Sequence, residues 1–356
     1  MRIGIIAPPW APVPPPTYGG TETMLDALAR GLEAAGHDVV LFATGDSACP
    51  VTTSWVHERA AWIWEAGAAS ERHELDHVIA AYEELANCDV VHDHTIAGPV
   101  HALRYPDLPV VTTNHGRFGG AALAHYRAIA GQLPVVAISR HQASTAAGVP
   151  IAKVIHHGLD VAAFPEGAGD GGYALFLGRM DPDKGVDLAI DAARAAGVPL
   201  LIAAKMRDER EIAFYREEVV PLLGDGVEYI GEIGGARKLE LLAAARCLLN
   251  PIRWPEPFGL VMIEALACGT PVIAMGQGAA PEIIDHGLSG YLCERPAQLA
   301  EALALVGGID RAVCRSIAKE RFSMDRMAAD HVALYREVIA AKKGLAEEPV
   351  QGYQFR

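Results

Sequence analysis

Residues 173–185 read YALFLGRMDPDKG. A run of strand character, Tyr173–Leu177, passes through a glycine and an Asp-Pro turn signal to a second glycine. A helical pattern follows at once over Gly185–Ala196. An apolar strand that turns directly into a helix is the opening unit of a parallel sheet covered on both faces. Just before it, Phe164–Gly172 reads FPEGAGDGG, with four glycines, a proline and two acids in nine residues. That composition predicts a linker, after which the fold restarts.

The same alternation extends in both directions. Downstream, strands are predicted at Leu200–Ala204, Val227–Ile230, Cys247–Asn250 and Pro271–Met275. Helical patterns lie between and after them at Asp208–Leu222, Ala236–Ala245 and Phe258–Cys268. Upstream, strands are predicted at Ile3–Ala7, Asp38–Ala43, Asp89–His94, Val110–Asn114 and Val135–Ser139, with helices over Thr21–Ala35 and Glu74–Ala86. The first helix sets Met24, Leu25, Leu28, Ala29 and Leu32 on one face and stops at Gly36. After Ser323 an amphipathic pattern runs to about Lys343 and ends in a polar tail. The expected fold is α/β, with two Rossmann-like doubly wound domains facing across a cleft. Their bounds are 1–165 and 170–322, and 356 residues suit two cores of ordinary size. In such sheets ligands sit beyond the carboxyl ends of the strands, so the strand-to-helix turns are where chemistry is sought.

Composition removes several classes. The chain has 44 Asp+Glu against 30 Lys+Arg, a net charge of −14, which argues against gripping nucleic acid through its phosphates. Six cysteines are scattered without a CxxC pair, so neither a disulfide framework nor a zinc site is expected. Buried free thiols in a reducing compartment are expected instead. The apolar run Ile3–Ala7 is too short for a secretory h-region. The uncharged stretch 265–281 is broken by Gly269, Pro271, Gly276 and Gly278, so no bilayer span is expected. A cytoplasmic protein is the resulting expectation.

Four constellations stand at the predicted turns. In the first, Pro255-Glu256-Pro257-Phe258-Gly259-Leu260 leads into a helix carrying Glu264. The unpaired N–H groups at the start of that helix would suit a phosphate. Glu264 lies about two turns on from Phe258, within reach of a ribose, and Glu256 precedes the helix, within reach of a second sugar. In the second, Arg179 and Lys184 bracket the turn GRMDPDKG and fit a diphosphate. Its Asp181-Pro182-Asp183 reads as a turn and helix start rather than a metal ligand set. In the third, Gly19 and Gly20 open a helix in Tyr18-Gly19-Gly20-Thr21-Glu22 and allow close backbone approach to a phosphate. In the fourth, Thr112-Thr113-Asn114-His115-Gly116 puts His115 at a strand end facing the cleft. His92-Asp93-His94 lacks a third ligand, and no metal site is assigned. Each piece alone has an ordinary structural explanation in a cap, a solvated charge or a core histidine. Their order along the chain is the informative feature.

Taken together the pieces resemble the family 4 glycosyltransferases, which have the GT-B fold. The resemblance is carried by Gly19-Gly20-Thr21, His115-Gly116, His157-Gly158-Leu159-Asp160, Gly178-Arg179 with Lys184-Gly185, Gly231-Glu232, and Glu256 to Glu264. The run Ala267–Ile273 and the pair Pro281-Glu282 add to it. It covers about Arg2 to Tyr335 and is similar to a subgroup of antibiotic- and polysaccharide-pathway sugar transferases. The resemblance implies a retaining transfer of a sugar from a nucleotide-diphosphate donor to a hydroxyl acceptor such as a glycan, a lipid or a secondary metabolite. It implies no cofactor and no obligatory metal.

On that template Arg179 and Lys184 hold the leaving diphosphate, helped by the N–H groups of Phe258, Gly259 and Leu260 and by Gly20. Glu264 takes the ribose, Glu256 the donor sugar, and His115 the sugar near C6. Gly231 to Ile233 lie where the nucleobase is held, and the C-terminal helix, about 323–356, packs back on the first domain.

One turn departs from the family pattern. Ala203-Ala204-Lys205-Met206 stands where many members have glycines, and Lys205 would add a third positive charge at the diphosphate. Either UDP or GDP fits the template, with UDP favoured. Trp55, Trp62, Trp64 and His73 are candidates to line an acceptor surface, with core packing the alternative. No dense Lys/Arg run marks a membrane-docking surface in the first domain. Two other functions stay open at this point. A sugar-nucleotide 2-epimerase would form an epimer without acceptor, and a non-catalytic nucleotide-sugar-binding protein would bind without turnover.

Overall fold

A computed structural model describes residues 1–17, 19–61 and 70–347. The first sheet contains β1 (Arg2–Ile6), β2 (Asp38–Phe42), β3 (Thr52–Ser54), β4 (Val90–Asp93), β5 (Val110–Asn114), β6 (Val135–Ala137) and β7 (Ile151–Val154). The second contains β8 (Ala174–Arg179), β9 (Leu200–Lys205), β10 (Val227–Gly231), β11 (Cys247–Asn250), β12 (Val272–Met275) and β13 (Gly290–Cys293). Spatial orders are β3-β2-β1-β4-β5-β6-β7 and β10-β9-β8-β11-β12-β13. The pairs on either side of each order reversal are parallel. A parallel sheet is buried on both faces, and accordingly all four residues of β4 and of β11 are buried. The order reverses between β1 and β4 and between β8 and β11, the positions at which doubly wound sheets open a crevice.

Helices cover the faces. They are α1 (Gly20–Ala34), α2 (Ser70–Glu84), α3 (Gly98–His101), α4 (Gly120–Ala128), α5 (Arg140–Ser144), α6 (Val186–Ala196), α7 (Glu209–Phe214), α8 (Gly235–Ala244), α9 (Leu260–Ala267), α10 (Ala280–Ile283), α11 (Ala297–Leu305), α12 (Arg311–Arg321) and α13 (Met324–Glu347). The helix expected over Asp208–Leu222 is divided. It passes from α7 into a π-helical stretch, Tyr215–Val219, and a 3-10 turn, Val220–Leu222, where Pro221 offers no N–H. The expected start of α9 at Phe258 also shifts to Leu260, because Gly259 before it is left-handed at φ 99°.

The last helix belongs to the first sheet's core. Met327, Ala328, Val332, Leu334, Tyr335 and Val338 of α13 pack with Ile3, Ile5, Leu28 and Leu32. Each large apolar side chain buried this way contributes about 1.5–3 kcal/mol. The chain therefore crosses between the sheets twice, and the crossings are stitched together. Leu159 N–H donates to Phe322 O at 2.9 Å, and Met324 N–H donates to Leu159 O at 2.9 Å.

The glycine-rich segment after Phe164 is not a loose linker. Gly167, Gly169 and Gly171 donate backbone N–H groups to Cys268, Ala243 and Ala244 carbonyls at 3.0, 3.2 and 2.9 Å. A Cβ on Gly167 would lie 2.0 Å from Ala243 O, so glycine serves close approach there rather than freedom. All six cysteines are buried free thiols. No helix among the described residues is long and apolar enough to cross a membrane.

Candidate active site

The carboxyl ends of β4, β5, β8 and β11 are followed by His94, His115, the Lys184 turn and Glu256 respectively. A cavity of about 360 Å³ lies between the two sheets and takes its walls from both. That volume is in the range of small-molecule sites.

On the second sheet's side, Asp181 caps the turn after β8 by accepting from Asp183 N–H at 2.9 Å. This agrees with its reading as a turn former, and the turn delivers Lys184 into the cavity wall. Lys184 Nζ is paired with Glu256 Oε1. The other oxygen, Glu256 Oε2, is buried without a hydrogen-bond partner among the described residues. Leaving a carboxylate oxygen unpaired in a buried wall is costly, so it stands ready for a hydroxyl donor. Glu256 is held from behind by Ala279 N–H, which donates to its carbonyl at 3.0 Å.

Phe258, Gly259 and Leu260 line the same cavity at the start of α9, where first-turn N–H groups lack intrahelical partners. Glu264 lines it too, one turn into α9 from Leu260 rather than the expected two turns from Phe258. Its Oε1 accepts from Lys238 Nζ of α8 at 2.7 Å.

On the first sheet's side, Gly19 and Gly20 line the cavity at the start of α1. Gly19, not Thr21, is the residue that caps this helix. Tyr18 of the same motif lies outside the described residues, as do Trp62 and Trp64. His115 lines the cavity with its Nε2 2.8 Å from His94 Nδ1. Burial, reinforced by the neighbouring His331, pushes the His115 pKa down to about 3. The ring is therefore neutral near pH 7 and acts as a hydrogen-bonding group rather than a cation. His92 takes no part in the cavity wall. Its two ring nitrogens lie 2.7 Å from Tyr335 Oη and 2.7 Å from Thr113 Oγ1, deep in the core.

Three expected residues stand off the cavity wall. Arg179 and Lys205 end paired strands in register, and both face the buried Glu211 of α7. Arg179 lies 3.8 Å from Glu211 and 3.7 Å from Asp181, and Lys205 lies 3.8 Å from Glu211. Burial, and to a lesser degree Arg179 and Arg207, lower the Lys205 pKa against the opposing pull of Glu211. Gly231 ends β10 in a left-handed conformation, whereas Ile233 two residues on does line the cavity. Trp55 is neither core nor cavity. It is 46% exposed, and its Nε1 donates to Glu58 at 3.3 Å. His73 stacks on His57 with ring centroids 3.7 Å apart.

Sequence reasoning missed Lys238, Trp254, His157 and Thr17, all on the cavity wall. His157 sits in a quoted motif and stacks on His115 at 5.3 Å, and Trp254 immediately precedes the Pro-Glu-Pro run. Lys238 carries no local signal beyond following two glycines. Thr17 Oγ1 accepts from Arg207 Nη2 at 3.0 Å across the cleft.

Comparison with known proteins now bears on this geometry. Residues 18–163 match the sequence profile described as Glycosyltransferase Family 4, and residues 163–307 match Glycosyl transferases group 1. The phosphatidyl-myo-inositol mannosyltransferase of Mycolicibacterium smegmatis is 28% identical over 344 residues, spanning 86% of this chain and 84% of that one. The structure of AviGT4, a glycosyltransferase involved in avilamycin A biosynthesis, superposes with a TM-score of 0.70 at 26% identity, covering 95% of this chain and 98% of its own. Alr3699/HepE of Anabaena, solved with UDP and glucose, superposes with a TM-score of 0.75 at 19% identity, covering 95% and 100%. The two matched segments meet at residue 163, where the chain crosses between the sheets, and each contributes one wall of the cavity. The chain belongs to the family 4 glycosyltransferases, and it is an enzyme with the GT-B fold.

Proposed function

We propose that this glycosyltransferase moves a sugar from a nucleoside-diphosphate donor to a hydroxyl acceptor with retention at the anomeric carbon. The observation that carries the reading is that Lys184, the start of α9 and His115 line one and the same cavity. The cation and the N–H groups at the helix start would stabilise the charge that develops on a departing diphosphate, the main electrostatic task of such a transfer. The bond from the anomeric carbon to the diphosphate oxygen breaks, and the acceptor oxygen bonds the same face. The acceptor's proton passes to the departing phosphate, so no protein nucleophile is required.

In this reading Glu256 Oε2 accepts from a donor-sugar hydroxyl, Glu264 from the ribose, and His115 contacts the sugar from the opposite domain. Gly19 and Gly20 approach the phosphates, and Gly231 to Ile233 border the base. Arg179 and Lys205 would reach the diphosphate by leaving Glu211. Positive charge from protein groups makes the transfer independent of a metal, and activity should survive EDTA. UDP is the favoured nucleotide, because HepE, of like fold, was solved with UDP and glucose. A GDP donor is the competing choice. The acceptor hydroxyl belongs to a glycan, a lipid or a secondary metabolite.

A thermal-shift screen of UDP-glucose, UDP-galactose, UDP-N-acetylglucosamine and GDP-mannose tests the donor, since a true donor stabilises the fold with its concentration. NMR of the product's anomeric configuration tests retention. An inverted product, or no shift with any of the four, would overturn the reading.

A further inference from the structure

We propose that Gln142 is the positioning residue for His115. This rests on the reading above, in which His115 contacts the donor sugar. Gln142 lies on α5, is 1% exposed, and is outside the cavity wall. Its Nε2 donates to two carbonyls, Asn114 O at 2.8 Å and Gly116 O at 2.6 Å. Those are the residues on either side of His115. One amide group therefore holds the peptide that leads into His115 and the peptide that leads out of Gly116. Its Oε1 accepts from Ile138 N–H at 2.8 Å, and its own N–H donates to Ser139 Oγ at 2.9 Å. A carboxamide offers one acceptor and two donors, and here all are used. The loop is closed further by Gly116 N–H, which donates to Asn114 Oδ1 at 2.9 Å.

The clamp is anchored to the other half of the molecule. The residues just before Gln142, Arg140 and His141, donate their N–H groups to Glu282 of α10 at 2.9 and 2.7 Å. The path from the second sheet to His115 is therefore continuous. It runs from Glu282 to the start of α5, from there to Gln142, and then to the carbonyls flanking His115. His115 is thus held by a residue that directly follows two backbone N–H groups bonded to the other domain. No other side chain bonds both flanking carbonyls among the described hydrogen bonds.

The grip on the nucleotide lies on the other wall, so loss of the clamp should lower turnover and spare nucleotide binding. In Gln142→Met, which keeps the volume and removes the amide, kcat should fall about 10- to 100-fold, the scale of a misplacement near 1 Å. The UDP affinity read by calorimetry should be unchanged. Turnover is followed as nucleoside diphosphate released from the donor selected among the four sugar nucleotides above. Gln142→Asn, one methylene shorter and unable to span both carbonyls, gives a milder loss and serves if the methionine variant does not fold.

The decisive comparison adds His115→Ala to Gln142→Met. If Gln142 acts through His115, the double variant is no slower than His115→Ala alone. Multiplying losses, or UDP affinity falling in step with kcat, would overturn the proposal and leave the role of His115 standing. Wild-type turnover in His115→Ala would overturn the role of His115 by its own measurement, and the role of Gln142 with it.

Discussion

Glu282, on α10 of the second domain, accepts a hydrogen bond from the backbone N–H of His141, on α5 of the first, at 2.7 Å. The same carboxylate accepts from Arg140 N–H, and it lies 2.9 Å from His156 Nε2. Burial works to raise its pKa, but the bonds from His156, His141 and Arg140 outweigh it and bring it down to about 2. A carboxylate depressed from 4.5 to about 2 contributes stability that is fully present above pH 4.5 and is lost as pH falls through 2. At pH 7 this amounts to on the order of 3 kcal/mol. Glu282→Gln should therefore unfold at lower denaturant than the parent at pH 7, and the gap should narrow below pH 4. An equal gap at pH 7 and pH 3 would show that charge is not the source.

The second prediction concerns the buried histidines. His92, His94, His115, His157 and His331 form a chain of rings running from the cavity into the core. Burial holds every one of them below the usual value of 6.5, with His331 at about 4 and His115 at about 3. The unfolded chain binds protons first as pH falls, so stability is lost from pH 6.5 downward. The loss continues until the folded values are reached. Each histidine contributes a slope of about 1.4 kcal/mol per pH unit. Urea unfolding between pH 8 and pH 5 should be flat at the alkaline end and steep below pH 6. A flat profile throughout would mean that these rings take up protons in the folded protein as readily as in the unfolded chain.

Lys184 and Arg179 should not behave alike, although both were read as diphosphate ligands. Lys184 lines the cavity and is paired with Glu256, whereas Arg179 is 33% exposed at its side chain and turned to Asp181 and Glu211. Lys184→Ala removes a cation from the cavity wall and should cost turnover about 10²- to 10³-fold. Arg179→Ala should cost less, because the guanidinium must first leave Glu211. Comparing kcat and UDP affinity for the two variants under one donor decides this. Equal losses would place Arg179 on the diphosphate as firmly as Lys184.

The unequal legibility of these residues has physical causes. Lys184, Glu256 and Gly259 could be read because strand-to-helix turns demand glycine and proline, which mark the place. The separation of Arg179 from Lys184 could not be read. It depends on Glu211, a buried acid on a helix that follows the next strand. Gln142 gave no signal either, since its partners are backbone carbonyls and any chain has those. Among the strands, β3, β7 and β13 were missed. They are short, at or near the sheet edges, with partly exposed residues in place of an apolar run. The segment after Phe164 was legible as a linker, but its packing was not, because close backbone approach and flexibility leave the same composition.

Gly259 offers the sharpest test of the phosphate wall. It stands at φ 99°, immediately before α9, in a conformation that side chains with a Cβ adopt only under strain. A Cβ there would lie 2.6 Å from Met262 Cε and 3.2 Å from Glu256 Oε2. The methionine end can swing aside. The Glu256 oxygen cannot do so freely, because its partner oxygen is paired with Lys184 and its backbone is held by Ala279. Gly259→Ala should therefore destabilise the fold by about 1–3 kcal/mol. It should also weaken UDP binding beyond what that loss explains, because a strained first turn misaims the N–H groups at the start of α9. The check is calorimetry with UDP at a temperature where the variant is fully folded. Unchanged affinity there would separate the start of α9 from the nucleotide site.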